Sequence, residues 1–348
     1  MVYFIYGRTG SGKSRFMLEC ASATHGKHIF VLVPDRGAVM AERAFSYAPN
    51  AGDIDVVTFS RLSNFVFRKY GGICENYISR GAKKVIMHNT LASLSGLFAS
   101  KGEFFESDTA QAERFIGMRT ELSRTSVTPE ALAKAAEACG GEPGKKFADI
   151  SMLFTAFDAE VGTRFEDPDG MLAKTNALLG GSDFFRGSDV YIDSFMSFSK
   201  EQLATVKEIM RSADNVYVSV PYVPADDKNT PCFFGIADTA KRLLDTAEAA
   251  GAVLAEPTVL LSGRRFANEE LSFLSRNLFP GGGYVRAVYE KKPENVRVMS
   301  AANNFAEAEA VCLDIAKKVR EGARYRDFAV IVRSTEGYTG VIDAMMQK

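Results

Sequence analysis

Apolar positions follow two rhythms along this chain, and the changes between them divide it. Within the first seventy residues, short unbroken apolar runs alternate with segments of helical spacing. Residues 2–6 (VYFIY), 28–33 (HIFVLV, stopped by Pro34) and 55–59 (DVVTF) have the length and the β-branched or aromatic content of buried strands. Residues 14–23, 38–47 and 61–70 carry apolar side chains at helical intervals, the last closed by Gly71 and Gly72. Strand and helix in alternation predict a parallel sheet covered by helices. From residue 74 to 187 the spacing is helical, over 79–100, 109–123, 129–139, 146–163 and 168–179. Thr128-Pro129 and Asp167-Pro168 each set a capping residue before a proline, a favoured helix start. Strands resume at 189–193 (DVYID) and 216–220 (VYVSV), around a helix opened by Ser199-Lys200-Glu201-Gln202, a capping-box pattern. A helix near 236–250 and a less regular stretch lead to Gly281-Gly282-Gly283, the best linker candidate. Beyond it comes a strand–helix–strand unit at 296–300, 304–321 and 328–332.

The expected organisation is therefore an α/β domain formed by residues 1–73 and 188–283, interrupted by an all-helical insertion over 74–187. Residues 291–348 are expected to begin a second α/β domain. The chain stops at Met345-Met346-Gln347-Lys348, inside a helical pattern, so a longer protein is expected.

Composition changes this picture little. At 348 residues, 46% hydrophobic and 24% charged, the chain has the make-up of an ordinary globular protein, of two domains or of one with a large insertion. Its net charge of −1 advertises no polyanion partner, so any nucleic-acid contact must be a local patch. The five cysteines (Cys20, Cys74, Cys139, Cys232, Cys312) are far apart, with no C-x-x-C pair, and read as reduced thiols of a cytoplasmic protein. Three histidines give a His-based metal site little to work with. No apolar run approaches the roughly 20 residues of a membrane helix. The N-terminus lacks the basic leader of a signal peptide.

The chemistry concentrates in Gly7-Arg8-Thr9-Gly10-Ser11-Gly12-Lys13-Ser14, a full match to the P-loop pattern G-x-x-x-x-G-K-[ST]. Its glycines let successive main-chain N–H groups converge on phosphate oxygens, and the helix that follows presents its positive end to the same anion. In that reading the ligand is ATP, Lys13 reaches its β- and γ-phosphates, and the Ser14 hydroxyl ligates Mg²⁺. A chance match in a chain of this length has odds of roughly a few per cent. Asp193, closing the run Val190-Tyr191-Ile192, is the natural Walker B carboxylate, expected at the end of a neighbouring parallel strand, where it can bind Mg²⁺ through water. The alternative is a polar residue that merely closes a strand. The next position is Ser194, which cannot take up a water's proton as a carboxylate could, so slow hydrolysis is expected.

Several segments, in order along nearly the whole chain, resemble AddB (RexB), the second subunit of the bacterial AddAB helicase–nuclease, whose front half is built like a UvrD-type superfamily 1 helicase. They are the P-loop, Val31-Leu32-Val33-Pro34, Val57-Thr58-Phe59-Ser60-Arg61-Leu62, Val190 through Phe195, Glu307-Ala308-Glu309 and Val330-Ile331-Val332-Arg333. The resemblance implies a RecA-like P-loop NTPase domain with a helical insertion and the start of a second RecA-like domain. It places Thr58, Phe59 and Ser60 where such helicases contact single-stranded DNA. Phe59 is then either a stacking platform or a core residue at a strand end. It places Arg333 where an arginine finger would reach the γ-phosphate, the other reading being an ordinary strand-end arginine.

An AddA-like motor and DNA, as single strands and duplex ends, are the implied partners, with no membrane. The family's nuclease and iron–sulfur cluster would lie beyond Lys348. The implied function is an ATP-binding, DNA-handling subunit of a complex that processes double-strand breaks for recombinational repair. The alternatives are an autonomous translocating ATPase and a P-loop small-molecule kinase. There are departures from the family pattern. Pro34-Asp35-Arg36 stands where Pro-Glu-Gln is usual, no adenine-recognition glutamine precedes the first strand, and no coupling glutamine follows residue 220. They bear on hydrolysis and translocation more than on nucleotide binding. Basic residues of the insertion (Lys83, Lys84, Arg114, Arg119, Arg124, Lys145, Lys146) either line a DNA channel or belong to a mixed solvated face, since acids are interspersed.

Overall fold

The computed structural model describes residues 1–72, 76–100, 103–125, 127–224, 230–261, 263, 265–266, 268–278 and 287–347. Cys74, Lys348 and the expected linker Gly281–Gly283 lie outside the described residues. The chain divides into two compact units: Met1–Ala267 with Ser275–Arg286, and Asn268–Leu274 with Ala287–Lys348.

The first unit is an α/β structure on a six-stranded sheet. Its strands are β1 (Val2–Tyr6), β2 (His28–Leu32), β3 (Ile54–Val57), β4 (Ser188–Ile192), β5 (Asn215–Val220) and β6 (Thr258–Val259). They run in the order β3-β2-β4-β5-β1-β6, and every pairing is parallel. A parallel sheet is buried on both faces, which is why these segments are continuous apolar runs without polar alternation. One face packs Phe4, Phe30, Leu32, Val190 and Val218 against later helices. The other packs Ile5, Ile29, Val31 and Tyr191 against Met17, Ala21, Ala38 and Phe45. On that second face Tyr3, Tyr217 and Tyr191 stack in register, with ring centroids 4.6 and 4.5 Å apart.

Helices α1 (Lys13–Ser22) and α2 (Ala38–Phe45) follow the first two strands. The third strand ends two residues before its expected limit, because Thr58 turns the chain. The Thr58 side chain accepts from the Arg61 N–H as the N-cap of α3 (Phe59–Tyr70). Among the described residues five α-helices then precede β4: α4 (Arg80–Leu94), α5 (Thr109–Arg124), α6 (Pro129–Cys139), α7 (Gly141–Gly162) and α8 (Met171–Leu179). Ser79, Asp108 and Thr128 cap α4, α5 and α6 in turn, and Pro129 takes the first helical position where its missing N–H costs nothing. Helices α4 to α7 enclose a core of their own around Met87, Leu91, Phe115, Leu153, Phe154 and Phe157. Asp149, buried beside it, accepts from the N–H groups of Ala99 and Ser100 at 2.9 and 2.7 Å. Helix α9 (Lys200–Ser212) opens with the expected Ser199–Gln202 capping box, and α10 (Phe234–Ala249) packs against it.

In the second unit the expected strand–helix–strand pattern is present only as its helix. Helix α11 (Glu269–Asn277) begins in this unit, and α12 (Asn304–Arg320) and α13 (Val341–Met346) lie within it. Residues 296–300 and 328–332 are in no sheet, and Val298 and Ile331 are 99% and 92% exposed. A strand needs a partner to satisfy its main-chain groups, and the described residues of this unit supply none.

Candidate functional site

The sheet brings the carboxyl ends of β1, β4 and β5 to one edge, and the glycine-rich segment leaves β1 there. The Gly7 N–H donates to the main-chain oxygens of Val220 and Tyr222 (3.3 and 3.0 Å), tying the start of the loop to the end of β5. A Cβ on Gly7 would lie 2.4 Å from Ser11 Oγ and 2.7 Å from the Leu260 oxygen, so no side chain fits. Gly10 and Gly12 have φ of 87° and 96°, the left-handed region that favours glycine, and Gly12 leads directly into α1. The Ser11 hydroxyl is buried with no hydrogen-bond partner among the described residues. Lys13 Nζ folds over the loop and donates to the main-chain oxygens of Gly7 (2.6 Å) and Arg8 (3.0 Å). Burial holds the Lys13 ammonium below its usual range, and the charge of Asp193 acts in the opposite direction.

Asp193 follows β4, which is not the strand beside β1, because β5 lies between them. It nonetheless faces the same cleft, of about 680 Å³, as Gly12, Lys13 and Ser14. Its carboxylate accepts from the Ser219 hydroxyl, supplied by the intervening β5, and from the Ser194 hydroxyl at 3.2 Å. The Ser194 N–H in turn donates to Ser219 Oγ at 3.4 Å. Ser194 holds φ at 67°, the one described non-glycine residue with positive φ, a conformation that costs of order 1–3 kcal/mol and clusters at functional sites. Two hydroxyls thus fix the carboxylate while leaving part of its acceptor capacity for a hydrated cation.

Thr9 lines the cleft. The Arg8 guanidinium is turned to the main-chain oxygens of Ser275 and Arg276 (2.9 and 3.2 Å) and lies over the Phe233 ring. Thr58, Phe59 and Ser60 border a separate cleft of about 330 Å³, with Asp35, Phe195 and Gln202 on its walls. There Thr58 caps α3, Ser60 is exposed, and the buried Phe59 ring meets Phe195 edge-on at 5.5 Å. Arg333 belongs to the second unit, on a cleft with Glu307, Cys312 and Tyr338. In the helical insertion Lys83, Lys84, Arg119 and Lys145 pair with Asp167, Glu113, Asp158 and Glu142. Ser219, and Arg265 on the rim of the larger cleft, escaped sequence reasoning; a serine inside an apolar run and an arginine in an irregular stretch carry no spacing signal.

Among the described residues no helix is long and apolar enough to cross a membrane, and no cluster of three or more His, Cys, Asp and Glu could hold a metal ion.

An all-parallel α/β protein with a glycine-only loop at the carboxyl edge of its sheet is thus defined. The chain belongs to the family described as ADDB, N-terminal, whose model matches residues 4–275. A protein of Acetivibrio thermocellus, named as the B subunit of an ATP-dependent helicase/deoxyribonuclease, is 30% identical over 367 residues, covering 99% of this chain and 31% of the relative. Proteins of the same name from Desulforudis audaxviator and Clostridium tetani are 29% and 26% identical, covering 96% and 98% of this chain. The chain spans about a third of the length of these curated relatives, 30% and 31% for the latter two.

Proposed function

We propose that this chain is the ATP-binding, DNA-handling amino-terminal portion of one subunit in an ATP-dependent helicase/deoxyribonuclease complex that processes double-strand DNA breaks. The observation that carries the reading is the cleft itself, in which a loop only glycine can form, Lys13 and a doubly hydrogen-bonded Asp193 share one wall. On this reading the first unit is a RecA-like P-loop domain with a helical insertion, and the second unit begins another RecA-like domain. The cradle suits ATP. The N–H groups of residues 7–14 enclose phosphate oxygens, Lys13 balances the β- and γ-phosphate charge, and Ser14 with Asp193 holds Mg²⁺. A Mg²⁺ ion held there would supply positive charge against the terminal phosphates.

Ser194 occupies the place of the water-activating acid, and its hydroxyl is spent on Asp193. The site therefore retains nucleotide rather than turning it over. Single-stranded DNA is assigned to the cleft bordered by Thr58, Phe59 and Ser60, and the partner role to an AddA-like motor, in the cytoplasm. Arg333 is assigned the arginine-finger role.

Calorimetry of ATP binding to the chain and to Lys13→Ala tests the reading. Losing one charge-assisted contact should weaken binding by about 10- to 150-fold, that is, about 1.5–3 kcal/mol. Unchanged affinity in a folded variant would remove the loop as the site. Robust DNA-stimulated ATP hydrolysis, lost in the same variant, would replace a retaining site with a motor.

A further inference from the structure

Among the described residues three arginines lie in or beside the glycine-rich loop, and two are committed elsewhere. Arg8 donates to the main-chain oxygens of Ser275 and Arg276, and Arg15 pairs with Glu19 at 2.9 Å on the surface of α1. The third, Arg265, lies beyond β6 in a segment with no regular structure, yet its backbone is fixed to the loop. The chain after β6 continues in the direction of β1, with the Leu260 N–H donating to the Tyr6 oxygen at 2.8 Å. The Arg265 N–H then donates to the Gly10 oxygen at 3.1 Å. Arg265 Cβ would lie only 3.3 Å from a Cβ on Gly10, and the Phe266 ring covers the same point. The side chain is exposed, lines the cleft together with Lys13 and Asp193, and makes no hydrogen bond or ion pair among the described residues.

We infer that Arg265 is a terminal-phosphate ligand supplied by the first unit itself, and that it sets the preference of the site for a nucleoside triphosphate over a diphosphate. The inference rests on the proposed nucleotide-binding reading of the loop. On that reading the loop's N–H groups would enclose the β-phosphate, which leaves the terminal phosphate, reached by Lys13 from one side, facing the open cleft. A guanidinium anchored through its own main chain to Gly10 meets that group with a planar fork of donors. Anchoring matters energetically, because only side-chain rotamers remain to be ordered on binding.

The test is a titration of the chain, of Arg265→Ala and of Lys13→Ala with Mg-ATP and with Mg-ADP, followed by calorimetry, with a thermal melt on each protein. Arg265→Ala should lose about tenfold or more in ATP affinity, while ADP affinity stays within about threefold. Because the side chain is exposed, the melt should not move. Arg265→Lys should recover part of the ATP affinity, since a point charge replaces the fork. Equal losses for both nucleotides, or no loss for either, would overturn the role of Arg265 while leaving the loop as the site. If the unaltered chain binds neither nucleotide, or Lys13→Ala binds both normally, the underlying reading falls and this inference with it.

Discussion

Replacing Phe59 with alanine separates two roles that one ring cannot fill equally. The ring opens α3, is 9% exposed, and meets Phe195, which stacks in turn on Phe198 at 4.8 Å. Phe→Ala in a core costs about 3–5 kcal/mol. One edge of this ring borders a cleft that water can enter, so the hole is not a dry void and the cost belongs at the lower end, about 3 kcal/mol. In a domain of this size each kcal/mol moves the midpoint by about 2–4 °C, so a fall of about 6–12 °C is expected. Fluorescence anisotropy with a single-stranded oligonucleotide, measured well below the lowered midpoint, should show nearly normal affinity and an unchanged salt slope. A platform for a base would behave in the opposite way. The midpoint would move by less than about 2 °C, and binding would weaken by about 1–3 kcal/mol. That outcome would refute the packing argument and make Phe59 a direct DNA contact.

Two further outcomes are expected. Asp149→Ala strands two main-chain donors in the helical layer and should cost about 2–3 kcal/mol in urea unfolding, with Asp149→Asn recovering part of it. The Lys27 ammonium and the Gly187 N–H hold the Asp214 carboxyl below its ordinary value of 3.8, so its contribution is full above that value and is lost as pH falls through the lower folded value. Lys27, raised chiefly by the same hydrogen bond, contributes below its ordinary value of 10.5 and loses that contribution as pH rises through the higher folded one. Midpoints of Asp214→Asn across pH should therefore converge on those of the unaltered chain at both extremes and fall below them between.

Much of this was legible because it is written locally. VYFIY, HIFVLV and DVYID announce buried parallel strands by the absence of alternation, and Thr128-Pro129 and Ser199-Gln202 announce helix starts by short-range hydrogen bonds. The loop from Gly7 to Ser14 was legible for the same reason, since its conformation requires glycine at fixed offsets. What was hidden depends on pairing across long separations. A two-residue β6 has no periodicity, and it exists because β1 offers it a free edge. Ser219 reaches Asp193 only because β5 enters between β1 and β4. Apolar runs at 296–300 and 328–332 read as strands, but β propensity without a neighbouring strand builds no ladder.

The position of β1 between β5 and β6 also sets a clock on synthesis. The strand that carries the glycine-rich loop is made before the other five of its sheet, yet its neighbours are residues 215–220 and 258–259, and the Gly10 oxygen waits for the Arg265 N–H. At roughly 5–20 residues per second, a ribosome needs on the order of 10–50 s to deliver them. For that interval VYFIY is a sticky segment of the nascent chain without its sheet neighbours, while β2 and β3 can already pair with each other. The loop that follows the earliest strand of this sheet is therefore among the last parts of the unit to take shape. A nascent chain halted before residue 215 would hold the apolar β1 without the strands that flank it in the sheet.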